Sequence, residues 1–276
     1  MEKKMFGVKI PPPVITKEHG SWAVLLVPIL VNACVAGKWS IDFVFVALAV
    51  LGVFLSYVPA QVLLRHYSGV PQRDERVRQA KFWITGYLFV TIGSAVPLLV
   101  KGYIFLLVIG SIGAVFFFCN FFLVKHYSKM IATDLIAVAG LTLSGPSVYY
   151  VLTGMLDRTA VSLYVLNFLF FGCSVFYVHM KIQFSASKKA VMAWRESLKF
   201  GKLNLLYFAA VVSIMAILAA SRFTSIIALV AFVPMIAHGV YGTVKLSSRV
   251  HFKNLGFLLL GQSILFGTLL SYFCWK

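Results

Sequence analysis

Long apolar runs separated by short polar breaks organise this chain from end to end. Nine runs approach or exceed the about 20 residues that a helix needs to cross a hydrocarbon core. They cover residues 20–36, 41–64, 82–100, 102–124, 131–153, 161–180, 203–220, 223–243 and 255–275, the first being the shortest. Within each run the apolar positions are continuous, whereas a membrane β-barrel strand alternates apolar and polar residues. The pattern therefore predicts an all-α, polytopic membrane bundle of about nine transmembrane helices. Residues 20–276 form one transmembrane domain in this reading, preceded by a segment at 1–19 on the cytoplasmic side. That segment is polar and carries Pro11, Pro12 and Pro13, so a cleaved signal peptide is not expected.

Composition agrees. Apolar residues make up 61% of the 276 and charged residues 12%, against about 45–50% and 25% in soluble domains. Soluble enzymes and DNA-binding domains are excluded, although Lys and Arg outnumber Asp and Glu by 25 to 8 and the net charge is +17. No nucleic-acid partner is expected; membrane lipids are.

The cations sort by loop. Twenty of the 25 fall in one alternate set of connections, and Lys38, Lys101, Arg158, Arg222 and Lys276 fall in the other. Cytoplasmic loops collect Lys and Arg. The bias therefore predicts a cytoplasmic N-terminus, an external C-terminus and a multi-pass protein of the inner cell membrane. Two of the basic connections are long, 66–81 and 181–202. The second reads as a basic amphipathic helix, with Val191, Met192, Trp194, Leu198 and Phe200 among Lys188, Lys189, Arg195, Lys199 and Lys202. Such a helix lies on anionic headgroups or serves as a lid over an anionic substrate.

Polar residues inside membrane helices are costly and default to functional candidates. Tyr57, Gln61 and Arg65 are spaced i, i+4 and i+8 on one helical face. Asn167, Ser174 and Lys181 form a second stripe, and His238, Tyr241 and Lys245 a third. Asn120 and Asp134 lie near the ends of the fourth and fifth runs. All thicken toward the predicted cytoplasmic side, which implies a polar chamber opening there. The competing readings are structural: snorkelling cations, aromatic belts, interhelical amide ties, and Asp134 as an N-cap with Leu135 as the first helical residue.

The most distinctive stretch is Lys17-Glu18-His19-Gly20-Ser21-Trp22-Ala23, followed by apolar residues and Pro28. His19 titrates near neutral pH when unperturbed. The stretch resembles the signature of YwiC-like membrane proteins, with Ser21 where alanine is usual. Thr133-Asp134-Leu135 and the run from Leu166-Asn167-Phe168 to Phe176-Tyr177-Val178 also resemble that family, which implies the fold more than an activity. Nine helices with long connections after the second and sixth also resemble the architecture of UbiA-type prenyltransferases. Those enzymes hold Mg²⁺ and a prenyl diphosphate on aspartate-rich motifs in these two connections. Here they offer only Asp74 and Glu75, and Glu196, so a Mg²⁺ cofactor has no such motif to hold it.

The leading expectation is a lipid-handling protein related in architecture to UbiA-type transferases. An isoprenoid or other lipid tail lies between helices, and its anionic head meets Arg65, Lys181 and Lys245. His19, Asp134 and His238 are the catalytic candidates. Trp22, Tyr57, Gln61, Asn120, Asn167, Ser174 and Tyr241 complete the binding set. A transporter of a small anion or organic acid is the alternative, because Pro28, Pro59, Pro97, Pro146 and Pro234 supply breaks of the kind that transporters use. A noncatalytic membrane subunit is the third. No His-x-x-x-His or Cys-x-x-Cys pair supports haem or metal ligation. Cys34 and Cys274 pair only if the first and last helices touch, and Cys119 and Cys173 read as packing residues.

Overall fold

A computed structural model describes residues 4–5, 8–9, 11–16, 19–126, 131–187, 192–246 and 251–275. Apart from a two-stranded antiparallel pair, β1 (Lys4–Met5) and β2 (Val8–Lys9), the described elements are helical. They are α1 (His19–Ala36), α2 (Ile41–Tyr67), α3 (Asp74–Val100), α4 (Phe105–His126), α5 (Ile131–Thr142), α6 (Ser144–Thr153) and α7 (Arg158–Ala186). Then follow α8 (Trp194–Phe200), α9 (Lys202–Ala220), a 3-10 helix (Ile226–Phe232), α10 (Val233–Val244) and α11 (Phe252–Trp275). Among the described residues, eight segments are long and apolar enough to cross a membrane, and Gly20–Ala36 is a shorter apolar ninth. The protein is a multi-pass, all-helical membrane protein.

Helix ends depart from the apolar runs in one consistent way. α3 begins at Asp74, two turns before its apolar run, and α7 continues to Ala186. The two long connections expected at 66–81 and 181–202 are therefore mostly helix. Charged residues such as Arg76, Arg78 and Lys181 are good helix formers, so helices continue past the hydrophobic stretch that marked them. Of the predicted amphipathic helix the described residues show α8; Lys188, Lys189 and Val191 lie outside them. α5 begins at Ile131, which places Asp134 inside the first turn rather than at the N-cap.

Two of the apolar runs are interrupted. The run 131–153 breaks at Leu143, between α5 and α6. Pro146 sits in the first turn of α6 and has no N–H to give to the Thr142 carbonyl. The run 223–243 begins as a 3-10 helix and becomes α-helical only at Val233-Pro234, where proline is tolerated as an early helical residue. Pro28, Pro59 and Pro97 lie inside continuous helices.

The chain separates into two compact units. One comprises residues 1–18 and the α2–α3 hairpin. Here Gly52 lets α2 approach α3 closely: an added Cβ would stand 2.9 Å from the Tyr87 carbonyl oxygen and 3.1 Å from the Thr91 nitrogen. Ser56 donates to the Gly52 carbonyl at 2.8 Å, Lys101 pairs with Asp42 at 2.5 Å, and the Trp83 indole donates to the Pro11 and Pro12 carbonyls. The second unit comprises residues 19–40 and 104–276. Its centre is aromatic: Phe170 stacks on Phe266 with centroids 3.8 Å apart, and Phe232 meets both rings edge-on. α1 packs along α6 and α11, and α7 is buried along most of its length. In lipid such close packing, rather than hydrophobicity, holds helices together.

The hairpin contact is testable. Gly52→Ala forces the α2 and α3 backbones apart and should lower stability by about 1–3 kcal/mol. Gly86→Ala meets nothing within 4 Å and should be neutral or stabilising by about 0.5–1 kcal/mol. Thermal denaturation of the purified variants in detergent checks the pair; equal melting temperatures would contradict the assigned contact.

Candidate functional site

The second unit contains a polar cluster where α7 and α10 end and α9 begins. Lys181, in the last turns of α7, is only 7% exposed. Its ammonium donates to the Gly242 carbonyl of α10 at 2.8 Å and lies 5.4 Å from the centroid of the Tyr177 ring, one turn earlier on α7. Among the described residues no carboxylate pairs with it. Gly242 makes this approach possible, because a side chain there would run into the Tyr177 ring and hydroxyl.

Hydrogen bonds extend the cluster on both sides. The Tyr177 hydroxyl lies 3.4 Å from His238 Nε2 on α10. The Gln262 amide of α11 donates to the Pro234 carbonyl at 3.3 Å, one turn before His238. His238 Nδ1 and Gln262 Oε1 are both buried, on side chains that lie beside one another. A ring N–H and an amide oxygen are complementary, so this pair can satisfy itself. On the other side, buried Asn204 of α9 donates to Thr243 Oγ1 at 3.0 Å, and Thr243 donates to the Gly239 carbonyl at 2.7 Å. Asn204 Oδ1 remains without a partner.

The remaining predicted residues have other settings. Asn120, buried on α4, donates to the Thr133 carbonyl of α5 at 2.5 Å, an interhelical tie. Asp134 accepts from His179 of α7 at 2.7 Å, with the carboxylate side chain 55% exposed and the imidazole 13%. Asn167 is fully buried and donates to the Leu163 carbonyl of its own helix. Ser174 and Trp22 are half-buried. Tyr241 is exposed, and Lys245 lies over its ring with the ammonium 5.0 Å from the centroid. The stripe on α10 therefore divides: His238 faces Tyr177, while Tyr241 and Lys245 are at the surface. His19 opens α1, but its side chain lies outside the described residues. Tyr57, Gln61 and Arg65 belong to the α2–α3 unit, the first two half-buried and Arg65 exposed. Of the three predicted anion-binding cations, Lys181 alone is buried.

Asn204, Thr243, Gln262 and His179 were not among the expected site residues. Each is a polar residue within or beside an apolar run, and that was the available signal. For Asn204, Gln262 and His179 the partner comes from another helix, which spacing within one helix does not reveal. Cys173 is buried, as expected of a packing residue, whereas Cys119 is exposed; Cys34 is a free thiol, and the Cys274 side chain lies outside the described residues. Among the described residues no three His, Cys, Asp or Glu side chains gather as metal ligands.

The family model described as YwiC-like protein matches residues 15–149. Over that stretch the chain is similar to YwiC-like proteins. The match takes in α1 to α5 and the first half of α6, including His19, Trp22, Asn120 and Asp134, and leaves Lys181 and His238 outside it. No curated protein and no solved structure matches the chain.

The Asp134–His179 pair gives a direct test. Because the carboxylate is more than half exposed, a double-mutant cycle with Asp134→Asn and His179→Gln should return a coupling of about 0.2–1 kcal/mol. A coupling of several kcal/mol would show that the pair is shielded from solvent.

Proposed function

We propose that this YwiC-like protein binds an anionic, lipid-type substrate with its head at Lys181. The observation that carries the reading is a buried ammonium with a carbonyl and an aromatic face as partners and no carboxylate. A cation away from water is costly unless paired, and a phosphate or carboxylate group supplies the missing charge through short charge-assisted hydrogen bonds. Met180, Phe184 and Phe208 are buried apolar neighbours in the same part of the unit and suit an isoprenoid or acyl tail. Asn204 Oδ1 is available to a hydroxyl on the head. His238, linked to Tyr177, is the candidate for proton exchange or substrate orientation. In the transferase form of this reading, related to UbiA-type enzymes, Lys181 rather than an aspartate-bound Mg²⁺ holds the head. The predicted loop bias orients this end of the unit to the cytoplasm.

The two interrupted spans favour one second reading, transport of a small anion or organic acid, since broken helices commonly build transporter sites. Uptake of such an anion into sealed liposomes would bring that reading forward.

Mass spectrometry of lipids that copurify with the full chain tests the first reading. Wild-type protein should retain anionic lipid, Lys181→Gln should lose at least tenfold of it, and Lys181→Arg should keep most. Lys202→Gln removes an exposed cation from the start of α9 and controls for general surface charge. Equal retention by folded Lys181→Gln and wild type would overturn the proposal.

A further inference from the structure

Three side chains form a row where α10 meets α7 and α11, and one arrangement of their hydrogens satisfies them all. Gln262 of α11 begins the row. Its amide nitrogen donates to the Pro234 carbonyl at 3.3 Å. A flipped amide would set two oxygens against each other there, so the Pro234 carbonyl fixes Oε1 as the atom left for a neighbour. That neighbour is His238, whose Nδ1 is buried, as is Gln262 Oε1, on side chains that lie beside one another. On the far side of the ring, Nε2 lies 3.4 Å from the Tyr177 hydroxyl of α7. Tyr177 is 2% exposed, and among the described residues His238 is the hydrogen-bond partner of its hydroxyl.

A neutral imidazole carries its hydrogen on one nitrogen or the other. With the hydrogen on Nε2, the ring donates to the Tyr177 oxygen. Nδ1 then turns a lone pair on Gln262 Oε1, and the Tyr177 hydrogen has no acceptor. A doubly protonated ring also strands the Tyr177 hydrogen, and it adds a second cation close to Lys181 with no carboxylate to balance either. Among the described residues, the titratable groups facing the ring from α7 are Tyr177 and Lys181. α11 presents the uncharged Gln262, and α9 packs Phe208 against the adjacent Gly239. With the hydrogen on Nδ1, the ring donates to Gln262 Oε1 and Nε2 accepts from Tyr177. No buried donor or acceptor in the row is then left over.

We propose that Gln262 is a positioning residue: it holds His238 in the Nδ1–H form, which makes Nε2 the proton-accepting nitrogen and directs the Tyr177 hydroxyl to it. Proton exchange at His238 then runs through Nε2 and Tyr177, whose ring lies against the Lys181 ammonium. That use of the row rests on the substrate reading at Lys181; the hydrogen positions do not.

The experiment is nitrogen NMR of the full chain, isotope-labelled at histidine and reconstituted in lipid, in alkaline buffer where imidazole is neutral. His238→Asn identifies the His238 resonances by their loss. Wild type should show Nδ1 protonated and Nε2 bare, and Tyr177→Phe should show the same, because Gln262 and not Tyr177 holds the hydrogen. Adding Gln262→Met to Tyr177→Phe removes the acceptor at similar volume and should shift at least half of the Nδ1–H signal to Nε2–H. Gln262→Glu in the same background keeps an oxygen and should restore it. A protonated Nε2 in wild type or in Tyr177→Phe, or an unchanged spectrum on adding Gln262→Met, would overturn the assignment. Where the double variant does not fold, the first two spectra decide. Lipid retention by Lys181→Gln equal to wild type, alongside an intact Nδ1–H signal, would remove the substrate reading and leave the assignment standing.

Discussion

A protein interior offers little water to a stranded charge, and among the described residues Lys181 is the lysine or arginine that is buried. Its ammonium is held by a backbone carbonyl exposed at Gly242 and by the face of Tyr177. Both contacts require α7 and α10 to lie unusually close, which the missing side chain at Gly242 permits. Tyr177 in turn reaches His238, and Thr243 beside Gly242 reaches Asn204. A single uncompensated cation thus accounts for much of the polar architecture at this end of the unit. Hydrogen bonds to neutral groups moderate its desolvation but bring no opposing charge, and the proposed anionic ligand rests on that.

The same absence of water governs the interruptions. Proline removes a donor, and in lipid the freed carbonyl must find another partner. At Pro234 a glutamine from α11 supports the neighbouring backbone. Near Pro28 the Asn32 amide donates to the Pro28 carbonyl, and Ser144 of α6 donates to the Leu25 carbonyl. Both breaks fall within one unit, which concentrates the chemically unusual backbone of this fold around α1, α5, α6 and α10. The α2–α3 hairpin is built differently, from uninterrupted helices locked by a glycine contact and by an ion pair at its open end, away from the connecting turn.

Much of the architecture was legible in the apolar runs, because the length needed to cross a bilayer is imposed by the lipid and not by tertiary detail. Helix ends were less legible: Arg76 and Arg78 stop a hydrophobic run without stopping a helix, so two expected connections became helix. The breaks at Leu143 and before Val233 were announced by their prolines, though Pro28, Pro59 and Pro97 read the same and leave their helices continuous. For the site, Lys181 and His238 stood out as ionisable residues in apolar surroundings. The division of the α10 stripe did not, since an ideal helical spacing cannot say which residues meet a neighbouring helix. Asn204 and Thr243 remained hidden for the same reason: their pairing joins helices distant in sequence.

The most direct test of the account is a density map of the protein in nanodiscs containing an anionic, phosphate-headed lipid. A headgroup oxygen should lie within hydrogen-bonding distance of Lys181 Nζ, with Gly242 and Tyr177 still in contact with the ammonium. A well-ordered Lys181 bound only to the Gly242 carbonyl, with lipid headgroups confined to the bilayer surface, would contradict it.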